Sequence, residues 1–281
     1  MENSENESKI NLKGASRKMD NRPIGLLDSG LGGLTVVKKV IEKMPNEKTI
    51  FIGDQAHMPY GDRPKEEIIS LTRHLVRFLL DQDVKIIIFA CNTATATAMK
   101  VIAPEIDRQI IGVIQSGALA AAQTTKTKKV AVIGTTATVN SEAYVDEIKA
   151  RDHEIQVSQL AAPLLAPLVE ADEGPEIRQK VVEKSLAPLK ADTFDTLVLG
   201  CTHYPIIASE IRRVVSPKTM LVDPADQVSQ YTQNVLRRDG LLADDKQIPD
   251  HRYYTTGQAA KFTKVARQWL NDPSLETLHV D

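Results

Sequence analysis

Short runs of consecutive apolar residues alternate along this chain with longer segments in which apolar residues recur every three or four positions. The first run, at 23–27, precedes a segment that places Leu34, Val37 and Val40 on one side of a helix. A continuous apolar run of this length is typical of a strand buried on both faces, and the longer period is typical of an amphipathic helix. Because the two patterns alternate, we predict an α/β protein built on doubly wound parallel sheets.

The same two patterns predict the other elements. Strands are expected at 49–53, 86–90, 110–114, 129–133 and 197–200. Helices are expected at 65–80, from 92 onwards, at 118–123, from about 141, at 177–189 and at 225–238. Asn92 is the predicted cap of the second of these helices, because an amide side chain can accept the free N–H groups of a first turn. The segment at 115–117 is expected to form a turn before the next helix.

Two of the apolar runs lead directly to the only two cysteines of the chain. Cys91 follows the run at 86–90, and Cys201 follows the run at 197–200. A single cysteine after a buried strand usually only packs. Here both thiols stand at equivalent places, and open parallel sheets bind their ligands beyond the carboxyl ends of the strands. We therefore expect Cys91 and Cys201 to face each other across one pocket.

The spacing of the motifs predicts an internal repeat. By subtraction of residue numbers, Asp28 and Cys91 are 63 positions apart, and Thr135 and Cys201 are 66 positions apart. Similar chemistry at nearly equal spacing predicts two pseudo-symmetric doubly wound α/β domains with the active site between them. The expected division of the chain is a disordered N-terminal tail at 1–20, a first domain at 21–114 plus 225–281, and a second domain at 115–224.

Composition narrows the class of protein. The 281 residues carry a formal net charge of -2, which gives no reason to expect nucleic acid or an anionic membrane surface as a partner. No apolar run approaches the roughly 18 residues of a membrane helix, and the polar start lacks the apolar centre of a secretory signal. The cysteines and histidines lack the spacing of a zinc site. We expect a cytoplasmic protein that acts on a small molecule without a metal or cofactor, and a homodimer is one assembly that the sequence leaves open.

A glycine-rich turn follows the first strand and reads DSGLGGLT at 28–35. Its glycines do not have the spacing of a dinucleotide-binding loop, and no P-loop lysine follows them. Two interpretations fit this turn equally well. The glycines either allow close packing between strand and helix, or they form a binding loop in which Asp28 acts from the carboxyl end of the strand.

Two equivalent thiols suit a reaction with two matching proton transfers. A nucleophilic cysteine needs one thiol and an oriented histidine, and only His203 lies near either cysteine in sequence. Two thiols on opposite walls suit the removal of a proton from one face of a carbon and the delivery of a proton to the other. This chemistry is racemisation or epimerisation.

Four sequence blocks together resemble glutamate racemases. They are DSGLGGLT at 28–35, PYG at 59–61, CNTA at 91–94 and CTHYP at 201–205, in that order, and the resemblance covers about residues 23–270. It implies two pseudo-symmetric α/β domains with the substrate between them. It also implies cofactor-independent interconversion of L- and D-glutamate, which supplies D-glutamate for peptidoglycan.

The resemblance implies roles for individual residues. Cys91 and Cys201 would be the two acid/base residues. Asp28 would assist Cys91, and His203 with Glu170 would assist at the Cys201 side. The residues implied in the substrate site are Asp28, Ser29, Pro59, Tyr60, Gly61, Asn92, Thr93, Thr135, Thr138, Thr202 and His203.

The chain departs from the family pattern at three places. Ser116 stands where the family usually has proline, His57 where a basic residue is usual, and Ala162 where a cysteine is frequent. These departures lie outside the catalytic blocks and concern hinge rigidity and loop contacts. The blocks themselves lack Lys and Arg, so we expect neutral donors to hold the substrate carboxylates and Asp28 to face the ammonium group.

Three alternatives remain at this point. Aspartate and hydantoin racemases share the architecture that the resemblance implies. A cysteine hydrolase built on Cys201 and His203 would make Cys91 dispensable. A non-catalytic binding module would keep its ligand after the loss of both thiols.

Overall fold

The structure, a computed structural model, describes residues 19–171, 173–191 and 193–281. Of the predicted tail at 1–20, all but the last two residues lie outside the described part. The strands are β1 (Ile24–Asp28), β2 (Thr49–Gly53), β3 (Ile86–Phe89), β4 (Ile110–Gly112), β5 (Lys129–Gly134), β6 (Gln156–Ala161), β7 (Thr196–Gly200), β8 (Met220–Val222), β9 (His251–Thr255) and β10 (Thr277–His279).

Helices follow or connect these strands. They are α1 (Leu34–Lys43), α2 (Lys65–Asp81), α3 (Asn92–Thr97), α4 (Met99–Ile102), α5 (Val113–Thr124), α6 (Thr136–Asn140), α7 (Ala143–Arg151), α8 (Leu165–Glu170), α9 (Pro175–Leu186), α10 (Ala208–Val214), α11 (Pro224–Arg238) and α12 (Ala259–Leu270). Short 3-10 helices occupy Ala103–Glu105, Ala187–Ala191 and Tyr204–Ile207. Within the described residues, no helix has both the length and the apolar character needed to cross a membrane.

The strands form two parallel sheets. The first has the order β10-β9-β2-β1-β3-β4, and the second has the order β6-β5-β7-β8. The four strands of the second sheet repeat the order of β2-β1-β3-β4, which is the pseudo-symmetry that the motif spacing predicts. The predicted fold class, two pseudo-symmetric parallel α/β units, is confirmed. The exact domain boundaries stay a prediction.

Side chains from each central strand enter cores on both faces of its sheet. In β3, Ile86 and Ile88 pack into one cluster, while Ile87 and Phe89 pack into another. All four are fully buried. A strand with two buried faces must be apolar at every position, which is why the sequence shows an uninterrupted run here. Burial of these strands holds the residues that follow them in fixed positions.

One predicted turn is wrong. Residues 115–117 lie inside α5, which begins at Val113, directly after the short strand β4. The helix therefore starts well before the Ala-rich part of the segment. Gly117 serves packing here, because a Cβ atom at this position would lie 3.0 Å from Pro224 Cγ and 3.1 Å from the Tyr144 hydroxyl.

Candidate active site

The carboxyl ends of the central strands in the two sheets meet around one small cavity. It is lined by Ser29, Gly30, Met58, Pro59, Tyr60, Gly61, Cys91, Asn92, Thr93, Thr135, Ala166, Cys201, Thr202 and His203. These residues come from both halves of the molecule, as the sequence predicts for the two cysteines. Larger cavities in the described residues bring together no cysteine or histidine. The cavity is therefore the candidate active site.

The cavity is nearly closed in this state. Its free volume is about 30 Å³, enough for only a few water molecules. An amino acid needs far more room than this, so its walls must separate or rearrange when a substrate binds.

Cys91 lies at the start of α3 and caps that helix itself. Its Sγ accepts the Ala94 N–H at 3.4 Å, and its S–H group faces Ser29 Oγ at 3.6 Å. Burial raises the pKa of the Cys91 thiol to about 12, and the nearby charge of Asp28 contributes to the increase. Cys91 is consequently a protonated thiol in this closed state.

Asn92 is not the helix cap that the sequence predicts. The capping position belongs to Cys91, and Asn92 is the first residue of α3. The side chain of Asn92 accepts a hydrogen bond from the Tyr144 hydroxyl at 2.8 Å, and Asn92 lines the cavity. Its amide thus belongs to the cavity wall instead of the helix start.

Cys201 lies beyond β7 and is the first member of a chain of three side chains. Its Sγ is 3.7 Å from His203 Nδ1, and His203 Nε2 is 2.7 Å from Glu170 Oε1. Burial disfavours the imidazolium, but the hydrogen bonds with Cys201 and Glu170 outweigh it and raise the pKa of His203 to about 10. A protonated imidazole beside the sulfur stabilises negative charge there.

Asp28 ends β1 and lies behind the cavity wall, with no exposed surface. Its carboxylate accepts the Gly30 N–H at 2.9 Å and the Thr202 hydroxyl at 3.2 Å. Burial raises the pKa of Asp28 to about 6, against the opposing charge of His203. Asp28 does not line the cavity itself, whereas Thr202, which donates to its carboxylate, does. Its expected contact with a substrate ammonium group stays a prediction.

A cluster of three threonines joins the two halves at the other side of the cavity. Thr93 Oγ1 lies 2.8 Å from Thr135 Oγ1 and 3.4 Å from Thr138 Oγ1. Thr135 also caps α6 by accepting the Thr138 N–H at 3.2 Å. Thr93 and Thr135 line the cavity, whereas Thr138 is fully buried behind them. Thr138 therefore supports the wall and does not line it.

Two glycines of the turn at 28–35 lie in very close contact with neighbouring residues. A Cβ atom on Gly32 would lie 2.2 Å from Thr202 Oγ1 and 2.6 Å from His203 Nδ1. A Cβ atom on Gly33 would lie 2.6 Å from Asp28 Cβ. Gly33 thus has the close packing between strand and helix that the first interpretation predicts, whereas Gly32 allows Thr202 and His203 of the second half to approach. Ser29 and Gly30 of the same turn line the cavity.

Most of the predicted substrate-site residues line the cavity. His203 lines the cavity together with eight other residues that the resemblance implies in the substrate site: Ser29, Pro59, Tyr60, Gly61, Asn92, Thr93, Thr135 and Thr202. Glu170 does not line it and reaches the site through His203. The sequence interpretation missed Gly30, Met58 and Ala166, which have no chemistry of their own to reveal them.

The three departures from the family pattern lie outside the cavity wall. Ser116 is buried in α5, and Ala162 is buried in the core of the second half, where its carbonyl accepts the Tyr204 hydroxyl at 3.0 Å. His57 is half exposed and contacts the carboxylate of Asp54. Among the described residues, no cluster of three or more His, Cys, Asp or Glu side chains has the arrangement of a metal site.

Comparison with known proteins places the chain among related sequences. The profile of the family described as Asp/Glu/Hydantoin racemase matches residues 24–231. A protein named glutamate racemase from Lactobacillus johnsonii is 66% identical over 263 residues, which cover 94% of this chain and 99% of that protein.

Solved structures agree with this relationship. Glutamate racemase isoform RacE1 from Bacillus anthracis superposes with a TM-score of 0.89 at 36% identity, covering 93% of this chain and 98% of that one. Glutamate racemase from Francisella tularensis, solved in complex with D-glutamate, gives a TM-score of 0.85 at 35% identity, covering 93% of this chain and 98% of that one. The similarity thus extends over both sheets and the cavity between them.

Proposed function

Because this chain belongs to the Asp/Glu/Hydantoin racemase family, and within it to the glutamate racemases, we propose that it interconverts L- and D-glutamate by proton transfer through Cys91 and Cys201. One observation carries this proposal. The two thiols line one cavity, and each lies at the carboxyl end of a parallel strand in its own half of the molecule. Such an arrangement suits an isomerase that must reach both faces of one carbon.

The different surroundings of the two thiols suggest a direction for proton transfer in the described state. Cys201 has protonated His203 beside its sulfur, whereas Cys91 is a thiol with a raised pKa. Cys201 then removes the α-proton of the substrate, and Cys91 delivers its own proton to the opposite face. After this step Cys201 is the thiol and Cys91 is the thiolate, so the reverse reaction starts from the exchanged state.

Three further side chains assist the thiols in this proposal. Glu170 holds His203 in its charged form through the 2.7 Å hydrogen bond between them. Asp28 assists at Cys91, because its negative charge keeps the proton on that sulfur until the substrate carbanion takes it.

Neutral donors hold the substrate carboxylates. The described cavity wall contains no Lys or Arg, and its cationic His203 is already hydrogen-bonded to Cys201 and Glu170. The neutral polar side chains of the wall include Ser29, Asn92, Thr93, Thr135 and Thr202. Backbone N–H groups add to these donors. Hydrogen bonds from neutral groups hold each enantiomer without a strong ion pair that would favour one orientation of the α-carbon.

The biological role follows from the product. We assign this enzyme to the supply of D-glutamate for peptidoglycan, and we expect it to act in the cytoplasm without a metal or organic cofactor. The relatives named above come from bacteria, which build such a cell wall. Oligomeric state, including a homodimer, stays open.

A racemisation assay in deuterated water tests the function and the mechanism together. Protein dialysed against a chelator is incubated with L-glutamate alone, and circular dichroism follows the loss of optical activity. Mass spectrometry of the separated enantiomers at low conversion should find deuterium in the new D-glutamate and protium in the remaining L-glutamate.

Each arm of this assay has a contradicting result. No racemisation of glutamate would refute the function, and activity that returns only with added metal or pyridoxal phosphate would refute the cofactor-free chemistry. Protium in the early product would indicate that a single base returns the proton that it removed. This result would refute the two-thiol mechanism.

A further inference from the structure

The loop between β2 and α2 forms one wall of the cavity. Four consecutive residues of this loop, Met58, Pro59, Tyr60 and Gly61, line the site. The loop also contacts the second half, because the Gly61 carbonyl accepts the Ala137 N–H at 3.0 Å. Its position therefore determines both the shape of the wall and the contact between the halves.

One buried carboxylate holds this loop. Asp54 is the first residue after β2, and only 2% of its surface is exposed. Its Oδ2 accepts the Tyr60 hydroxyl at 2.5 Å. Its Oδ1 accepts the Thr256 hydroxyl at 2.6 Å and lies 2.8 Å from His57 Nδ1. The carboxylate thus connects the start of the loop, the cavity-lining Tyr60 and the segment after β9.

The bond between Tyr60 and Asp54 has a defined donor. Burial raises the pKa of Tyr60, and the charge of Asp54 raises it further. The hydroxyl therefore stays protonated and donates a hydrogen bond to the carboxylate. Tyr60 itself is 1% exposed. A buried donor that loses its acceptor loses far more than a surface group would, because no water replaces the missing partner.

We propose that Asp54 is a positioning residue for substrate binding, which acts by holding the 58–61 wall through Tyr60. The inference rests on the proposed racemase function and adds a residue that lies outside the cavity wall. The two thiols stand on other elements, after β3 and β7. Loss of the Asp54 carboxylate should therefore weaken substrate binding more than it slows proton transfer.

Asp54→Asn tests this role against a matched control. Glu47 is also a buried carboxylate of the first half, located before β2 instead of after it. It accepts hydrogen bonds from Lys85 Nζ and the Ala243 N–H, remote from the cavity. Asp54→Asn is expected to raise KM for both enantiomers roughly 10-fold with a smaller change in kcat. Glu47→Gln is expected to lower Tm and leave KM unchanged.

A double-mutant cycle separates positioning from general destabilisation. Tyr60→Phe removes one donor and keeps the ring, so this variant should fold even if Asp54→Asn does not. Because Asp54→Asn removes the charge from the hydrogen bond that Tyr60→Phe removes altogether, the KM increase in Asp54→Asn with Tyr60→Phe should be smaller than the product of the single increases. Tm of each variant is measured in parallel.

The outcomes distinguish this inference from the proposed function. A wild-type protein that does not racemise glutamate refutes the function itself. An active wild type together with an unchanged KM in folded Asp54→Asn and in Tyr60→Phe refutes the role of Asp54 alone. An equal KM increase in Glu47→Gln also refutes it, because any buried carboxylate of this half would then have the same effect.

Discussion

Tyr144 of α7 donates a hydrogen bond of 2.8 Å to the Asn92 side-chain oxygen, across the boundary between the two halves. Tyr144 is fully buried, and Asn92 lines the cavity next to Cys91. Because the Tyr144 hydroxyl donates to the amide oxygen, the NH₂ group of Asn92 is oriented so that it can donate to a substrate carboxylate. A residue of the second half thus orients a donor in the wall of the first.

Tyr144→Phe is expected to reduce kcat/KM by roughly 5- to 100-fold, because the buried Asn92 oxygen loses its donor. The effect should appear mainly in KM. Tyr253→Phe is the matched control, since Tyr253 is a buried tyrosine of β9 whose hydroxyl has no hydrogen-bond partner among the described residues. Steady-state kinetics check both variants, and equal losses in the two would contradict the orienting role.

Cys91→Ala and Cys201→Ala are each expected to abolish racemisation in both directions. Either direction needs one base and one acid, and loss of a positioned acid or base costs roughly 10²- to 10⁴-fold. Circular dichroism establishes that each variant is folded, and racemisation from each enantiomer measures the loss. Near-normal turnover in a folded single variant would be incompatible with two-thiol chemistry.

Glu170→Gln is expected to change how stability depends on pH. The pKa of His203 is raised from its ordinary 6.5 to about 10 in the folded protein. This group therefore contributes stability that is complete below about pH 6.5 and is lost as the pH rises through about 10. Removal of the Glu170 charge should lower the free energy of unfolding by roughly 1–3 kcal/mol near about pH 6.5, where His203 is fully charged in the folded protein.

Urea unfolding at several pH values between about 6 and 10 provides the measurement. The gap between wild type and Glu170→Gln should narrow as the pH rises, because His203 becomes neutral in both proteins. The raised pKa of Asp28, to which the charge of Glu170 contributes, affects stability below this range. The raised pKa of Cys91 affects stability from about pH 9 upward, in wild type and variant alike. A gap that stays constant with pH would show that Glu170 does not act through the charge of His203.

Gly32→Ala is expected to separate the halves at the cavity. The added Cβ would meet Thr202 Oγ1 at 2.2 Å and His203 Nδ1 at 2.6 Å, so these side chains must shift. Small displacements of reacting groups reduce rates roughly 10²-fold. Gly174→Ala is the matched control, since nothing lies within 4 Å of a Cβ atom there. If Gly32→Ala retains wild-type kcat/KM, close approach at this glycine is not needed for activity.

Local sequence was sufficient to predict the strands that carry the chemistry. The runs before Cys91 and Cys201 are apolar at every position because both faces of β3 and β7 are buried, and a local pattern records this burial directly. The nearly equal spacing of the motifs likewise predicted the repeated strand order of the two sheets. Equivalent positions in a repeat occupy equivalent places in the fold, so the pairing of the two thiols was predictable.

Only the tertiary structure decided which polar residues line the cavity and which lie behind its wall. Asp28 and Thr138 stand behind the wall, although their neighbours Ser29 and Thr135 line it. Asparagine is a common helix-capping residue, but the side chain of Asn92 is hydrogen-bonded to Tyr144, 52 positions away. These outcomes depend on how the two sheets and their helices pack against each other, and contacts between residues so distant in sequence leave no local pattern to detect.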